Sequence, residues 1–174
     1  MSGTVVAAID QLLTDQARDA VAAFVYGSVA TGQAGPSSDV DTCVLLAQPV
    51  STAAAQRLRA SFVQLQERLG YTPDPDYPVE LFTVQQIRAA LLGHKVTHAI
   101  EQARAGEELE PELAEADEVE ILRALLGSRL TVRASPQLDE LTALANQVLA
   151  QQLHRASTPP SRQVLRVLGI RRDN

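Results

Sequence analysis

Three short apolar runs decide what this chain can fold into. The first, Val21-Ala22-Ala23-Phe24-Val25-Tyr26, is partly β-branched and aromatic and stops at Gly27. The second covers 40–47 and the third 79–84. Each is too short for a core helix and has the make-up of a buried strand. Elsewhere the apolar spacing is helical. Val5, Ala8, Ile9, Leu12 and Leu13 recur along one face of 4–20, with Thr4 as cap. A second helix is expected from Ser51 and Thr52 to Leu69, ended by Gly70. Pro73, Pro75 and Pro78 make 72–78 a loop. Further helices are expected over 85–92, 95–105, 119–132 and 136–156, the last with Ser135 as cap and Pro136 at the first helical position. This order predicts an α+β fold. A small mixed sheet, of about three to five strands, should be flanked by helices and followed by a helical C-terminal half.

Composition narrows the function. The length of 174 residues suits one domain with a small appendage. A single cysteine excludes an internal disulfide framework and any multi-cysteine metal site. Aromatics make up 3% of the residues, which leaves little for a base-stacking platform. The net charge of -6 argues against general nucleic-acid binding. No apolar stretch is long enough to cross a membrane, and the N-terminus lacks the basic start and apolar run of a secretory signal. The expectation is a reduced, cytoplasmic protein.

Chemistry concentrates in Gly27-Ser28, a ten-residue spacer, and Asp39-Val40-Asp41. Strand residues alternate faces, so Asp39 and Asp41 should point the same way, roughly 7 Å apart at the backbone. Two like charges beside an apolar strand repel and lose hydration, and a divalent cation removes both penalties. Oxygen ligands of this kind suit magnesium or manganese. Gly27 lets backbone approach a phosphate, and Ser28 adds a hydroxyl donor. Glu80 is the only charge in the third apolar run, so it needs a partner, and metal is one candidate. Three carboxylates on neighbouring strands would support a two-metal scheme on a nucleoside triphosphate. On their own, Asp39 and Asp41 could instead cap a turn, and Glu80 could face water from an edge strand.

This constellation resembles the minimal nucleotidyltransferases of the DNA polymerase beta nucleotidyltransferase superfamily. An apolar strand ending in Gly27-Ser28, a spacer ending in Ser38, and Asp39-Val40-Asp41 opening the next strand carry the resemblance, which covers 21–84. It implies a nucleotidyltransferase fold over 1–110, a helical segment over 111–156 packed on it, and a basic tail over 157–174. It implies Asp39, Asp41 and Glu80 as catalytic and metal-binding residues, and Gly27, Ser28 and Ser38 as nucleotide-binding ones. The cofactor would be Mg2+ or Mn2+ and the substrate ATP or another nucleoside triphosphate. The reaction would move a nucleoside monophosphate onto a hydroxyl of a protein or small molecule. Relatives of this size include antitoxins that modify a helical ribonuclease toxin, the HEPN/MNT pairs, and aminoglycoside adenylyltransferases. A non-catalytic antitoxin on the same fold is the alternative. Many members carry an Arg in the spacer, whereas residues 29–38 hold no basic residue here.

The rest reads as scaffold. Cys43 should share the face of Asp41 and is a small core residue. His94, His98 and His154 form no ligand set, and Lys95 is a solvated lysine. Nine acidic residues between Glu101 and Glu120, opposed only by Arg104, mark a solvated connector and helix face. The tail, with Pro159-Pro160, Arg162, Arg166, Arg171 and Arg172, is a loose arm or a short amphipathic helix. Apolar faces on the later helices would suit a homodimer.

Overall fold

The computed structural model describes residues 2–35, 37–154 and 162–171. Two compact units emerge: Met1–Val84 with Ser128–Leu138, and Gln85–Gly127 with Asp139–Asn174. The first holds a four-stranded mixed sheet in the order β3-β2-β1-β4. β1 (Ala20–Val25) runs antiparallel to β2 (Thr42–Leu46) and to β4 (Leu130–Arg133), and β2 runs parallel to β3 (Glu80–Thr83). A parallel pair needs a crossover, which α3 (Thr52–Arg68) supplies. Ser51 caps that helix by accepting from the Ala54 N–H at 3.2 Å. Gly70, at φ +81°, follows its last turn as expected.

The pleat sorts the apolar residues. Ala23 and Val25 of β1, with Val44 and Leu46 of β2, face a core shared with Val5, Ile9 and Leu13 of α1 (Ser2–Gln16) and Phe62 of α3. The alternate residues Ala22, Phe24, Cys43 and Leu45 are equally buried but stand outside that cluster, as period-two alternation requires.

Two expectations need correction. The helix foreseen over 119–132 stops at Leu126, and 130–133 forms β4. Leu130 and Val132 pack on the first unit's core, and Thr131 and Arg133 alternate with them. Gly127 separates the helical from the alternating register. The first helix begins at Ser2, so Thr4 lies inside it and caps nothing.

The second unit is helical. It comprises most of α4 (Val84–Leu91), then α5 (His94–Ala105), α6 (Pro111–Ala114), α7 (Asp117–Leu126), most of α8 (Pro136–His154), and α9 (Arg162–Val167). Val96, Ala99, Ile100 and Ala103 put one buried face of α5 into its core. Arg123 of α7 ties α6 and the turn after α9 to its own helix, donating to the Ala114 and Leu168 carbonyls at 2.8 and 2.7 Å. The expected tail includes α9, whose Val164 is buried; Pro159, Pro160, Arg172 and Asp173 lie outside the described residues. No described helix is long and apolar enough to cross a membrane.

Candidate active site

β1 ends at Val25, and the Tyr26 N–H extends its ladder by donating to the Asp41 carbonyl at 3.0 Å. Gly27 then turns the chain into a four-residue helix, α2 (Gly27–Ala30), with φ at +64°. A side chain here would be strained in its backbone and would also lack room. The Asp41 carboxylate occupies the space a Cβ would fill, with its Cγ 2.8 Å from that point. Gly27 is therefore required twice, for its φ and for the close approach of the acid. The turn is held by Thr31, whose hydroxyl donates to the Gly27 and Ser28 carbonyls at 3.2 Å each. The Gln33 N–H closes on the Ser28 carbonyl at 2.8 Å.

The spacer returns to β2 through Ser38. Its hydroxyl oxygen accepts from the Gly35 N–H at 3.0 Å, and its carbonyl accepts from the Thr72 N–H at 3.0 Å. The Ser38 hydroxyl thus holds the loop while keeping its own proton to donate. Val40 is buried in the core beneath the sheet, between Asp39 and Asp41, just before β2 opens at Thr42. Both acids are half-buried. Thr42 closes this turn by donating its hydroxyl to the Val40 carbonyl at 3.1 Å.

Glu80 opens β3 directly beside Cys43 of β2. Paired residues share a face, so Cys43 and Glu80 project from the same side of the sheet. β3 is an edge strand, and Glu80 is half-buried on it. Cys43 is buried, and burial, followed by the Glu80 charge, pushes its thiol pKa far up. It is a core thiol rather than a nucleophile.

Gln66 of α3 is a positioning residue that no sequence signal marks. Its side chain is 2% exposed. Its Oε1 accepts from the Val40 N–H at 2.8 Å, and its Nε2 donates to the Pro78 carbonyl at 2.9 Å. One buried amide thus links the backbone between the two aspartates to the backbone leading into Glu80. A glutamine in an amphipathic helix reads as a surface residue until its tertiary partners are known.

The structure brings Asp41 against Gly27 and sets Glu80 beside Cys43, two residues after Asp41. No three His, Cys, Asp or Glu side chains among the described residues are arranged as a ligand group for a metal. Magnesium is ordinarily held by one or two carboxylates, with waters and substrate phosphates completing the shell. A pair of half-buried aspartates fits that ion's demands.

The family model for the nucleotidyltransferase domain matches residues 9–98, which span α1 to the start of α5. The chain belongs to that family. The nucleotidyltransferase is also similar to several solved structures. One is a toxin-antitoxin with AMP-PNP, at 17% identity and TM-score 0.47, covering 86% of this chain and 88% of that one. Another is a mutant of the toxin-antitoxin MntA-HpeT, at 15% identity and TM-score 0.48, covering 86% and 88%. A third is a tri-AMPylated Shewanella oneidensis HEPN toxin in complex with MNT antitoxin, at 17% identity and TM-score 0.44, covering 89% of each chain. Comparison of the sequence with curated proteins found no match. The nucleotidyltransferase segment contains every acid and glycine of the site described above, from Gly27 to Glu80.

Proposed function

We propose that this nucleotidyltransferase transfers AMP from ATP to a hydroxyl of a helical toxin protein, acting as the MNT antitoxin of a HEPN/MNT pair. The observation that carries the nucleotidyl half is the packing of the Asp41 carboxylate into the space left by Gly27. That packing sets an acid directly beside a turn whose Ser28 hydroxyl can reach a phosphate. Asp39 and Asp41 would hold Mg2+ or Mn2+, which when bound offsets the negative charge of the phosphates and of the leaving group. Gly27 and Ser28 hold the β- and γ-phosphates, with Ser38 beside them. The acceptor hydroxyl oxygen bonds to the α-phosphorus, the α–β bridge breaks, and pyrophosphate leaves. Glu80, across the β2–β3 pairing, completes the acid set, as ligand of a second ion or as acceptor of the hydroxyl proton. Catalysis rests on positioning and charge neutralisation. The choice of a protein acceptor rests on the resemblance to the minimal nucleotidyltransferases carried by Gly27-Ser28 and Asp39-Val40-Asp41.

The test is label transfer from α-labelled ATP, with magnesium or manganese, to the candidate toxin and separately to aminoglycosides. Transfer to the toxin that disappears in Asp39→Ala and Asp41→Ala supports the proposal. Transfer to aminoglycosides alone moves the acceptor to the small-molecule class. A wild-type chain that binds the toxin without labelling it is a contact antitoxin instead.

A further inference from the structure

We infer that the loop 72–78 is the docking platform for the acceptor protein, with Tyr77 as the anchor that a pocket of that protein receives. The inference rests on the reading of Gly27 and Ser28 as holders of the β- and γ-phosphates, and extends it to the acceptor side of the site.

Sheet topology puts the loop there. Val25 of β1 pairs with Thr42 of β2, and Cys43 of β2 pairs with Glu80 of β3. The end of β1, the start of β2 and the start of β3 therefore meet at one end of the sheet. At that end Gly27 follows β1, Asp39 and Asp41 precede β2, and the loop precedes β3. β2 lies between β1 and β3, so the Gly27 turn and the loop emerge on opposite sides of the strand that the aspartates lead into. Nucleotidyl transfer is an in-line displacement, in which the attacking oxygen meets the phosphorus opposite the leaving one. Phosphates held over the Gly27–Ser28 turn send pyrophosphate off on the β1 side. The acceptor hydroxyl then approaches from the β3 side, where Glu80 and the loop stand.

The loop is fastened to the acid-bearing backbone at both ends. At one end the Thr72 N–H donates to the carbonyl of Ser38, the residue before Asp39, at 3.0 Å. At the other end the Pro78 carbonyl accepts from the Gln66 amide at 2.9 Å, and the same amide accepts from the Val40 N–H, between the two aspartates, at 2.8 Å. Within the loop, Asp74 Oδ1 accepts from the Asp76 and Tyr77 N–H groups at 2.8 and 3.2 Å. Pro73, Pro75 and Pro78 each fix a backbone angle. A partner gripped by this loop is thereby held in register with Asp39 and Asp41.

What the loop displays is an aromatic ring. Tyr77 is 68% exposed, and among the described residues only Leu92 is another large hydrophobic side chain left in that state. A tyrosine on a pre-ordered loop gives up little conformational freedom on contact and buries a large area, which is why this residue type anchors protein interfaces. A small molecule is held in a concave pocket, whereas a projecting ring suits a partner that supplies the pocket. The loop also carries Asp74 and Asp76 and no basic residue, and Glu80 follows it. The matching surface therefore combines an apolar pocket with positive side chains near the acceptor hydroxyl.

The experiment measures label transfer from α-labelled ATP, with manganese, over a range of concentrations of the candidate helical toxin. It compares the wild-type chain, Tyr77→Ala, Tyr77→Phe and Asp76→Asn. Tyr77→Ala should raise KM for the toxin about ten- to a hundredfold, with kcat held and ATP affinity by calorimetric titration unchanged. Tyr77→Phe keeps the ring and should fall between. Asp76→Asn should raise KM less and weaken its dependence on salt. Tyr77 is exposed, so urea titration should find Tyr77→Ala as stable as wild type. An unchanged KM in Tyr77→Ala overturns the inference while the transfer reading stands. A loss of ATP affinity in that variant also overturns it, by putting the ring on the nucleotide. A wild-type chain that binds ATP but labels no toxin overturns the protein-acceptor reading, and the docking surface with it.

Discussion

Replacing Gly27 by alanine separates backbone strain from active-site geometry. Gly27 and Gly32 both sit in the left-handed region, at φ +64° and +69°. Each alanine costs about 1–2 kcal/mol in backbone energy, partly offset by a stiffer unfolded chain worth about 0.4–1 kcal/mol. Both variants should thus lose on the order of 1 kcal/mol of stability in urea titrations. They differ in what the new methyl meets. At Gly32 nothing lies within 4 Å, whereas at Gly27 the methyl falls on the Asp41 carboxylate. Asp41 is half-buried and can swing aside, so the collision is relieved by moving the acid rather than by unfolding. A shift of about 1 Å in a positioning group costs about a hundredfold in rate. Gly27→Ala should therefore lose about a hundredfold in nucleotidyl transfer while Gly32→Ala stays near wild type. Equal activity in the two variants would refute the claim that the absent Cβ exists to admit the acid.

Gln66→Leu should lose about 1–3 kcal/mol, because it strands the buried Val40 N–H and Pro78 carbonyl, and activity should fall with it as the acids drift. Urea titration and transfer assays on one preparation check both. Cys43, its thiol pKa raised by burial and by the Glu80 charge, should resist a thiol reagent at mildly alkaline pH until denaturant is added. Above the ordinary thiol range only the unfolded chain ionises, so the Cys43 contribution to stability weakens as pH rises. Glu118 is held below the ordinary carboxylate range, first by its own N–H in the opening turn of α7 and then by Lys95 at 3.2 Å. Its contribution is present above the ordinary carboxylate range and lost as pH falls through the lowered value. The stability gap between wild type and Glu118→Gln, at most about 1 kcal/mol near neutrality, should close in acid.

Much of this was legible in the chain because it is local. The runs ending at Tyr26 and opening at Val40 carry their strand signal in β-branched and aromatic residues, and Gly27-Ser28 with Asp39-Val40-Asp41 carries the acids and the turn in one short window. What stayed hidden is tertiary. β4 has four residues and alternates Leu130, Thr131, Val132 and Arg133, a pattern short enough to be absorbed into the preceding helix. Its pairing to β1 joins residues more than a hundred positions apart, which no local period reports. The Gln66 and Arg123 bridges are invisible for the same reason. Each depends on which strands and helices become neighbours, not on a motif.

The account stands or falls on where a divalent ion binds. Crystals grown with manganese and a non-hydrolysable ATP analogue, measured for anomalous scattering, should show manganese about 2 Å from carboxylate oxygens of both Asp39 and Asp41. The phosphates should lie over the Gly27–Ser28 turn. Manganese held by other residues, with nucleotide bound away from that turn, would contradict it.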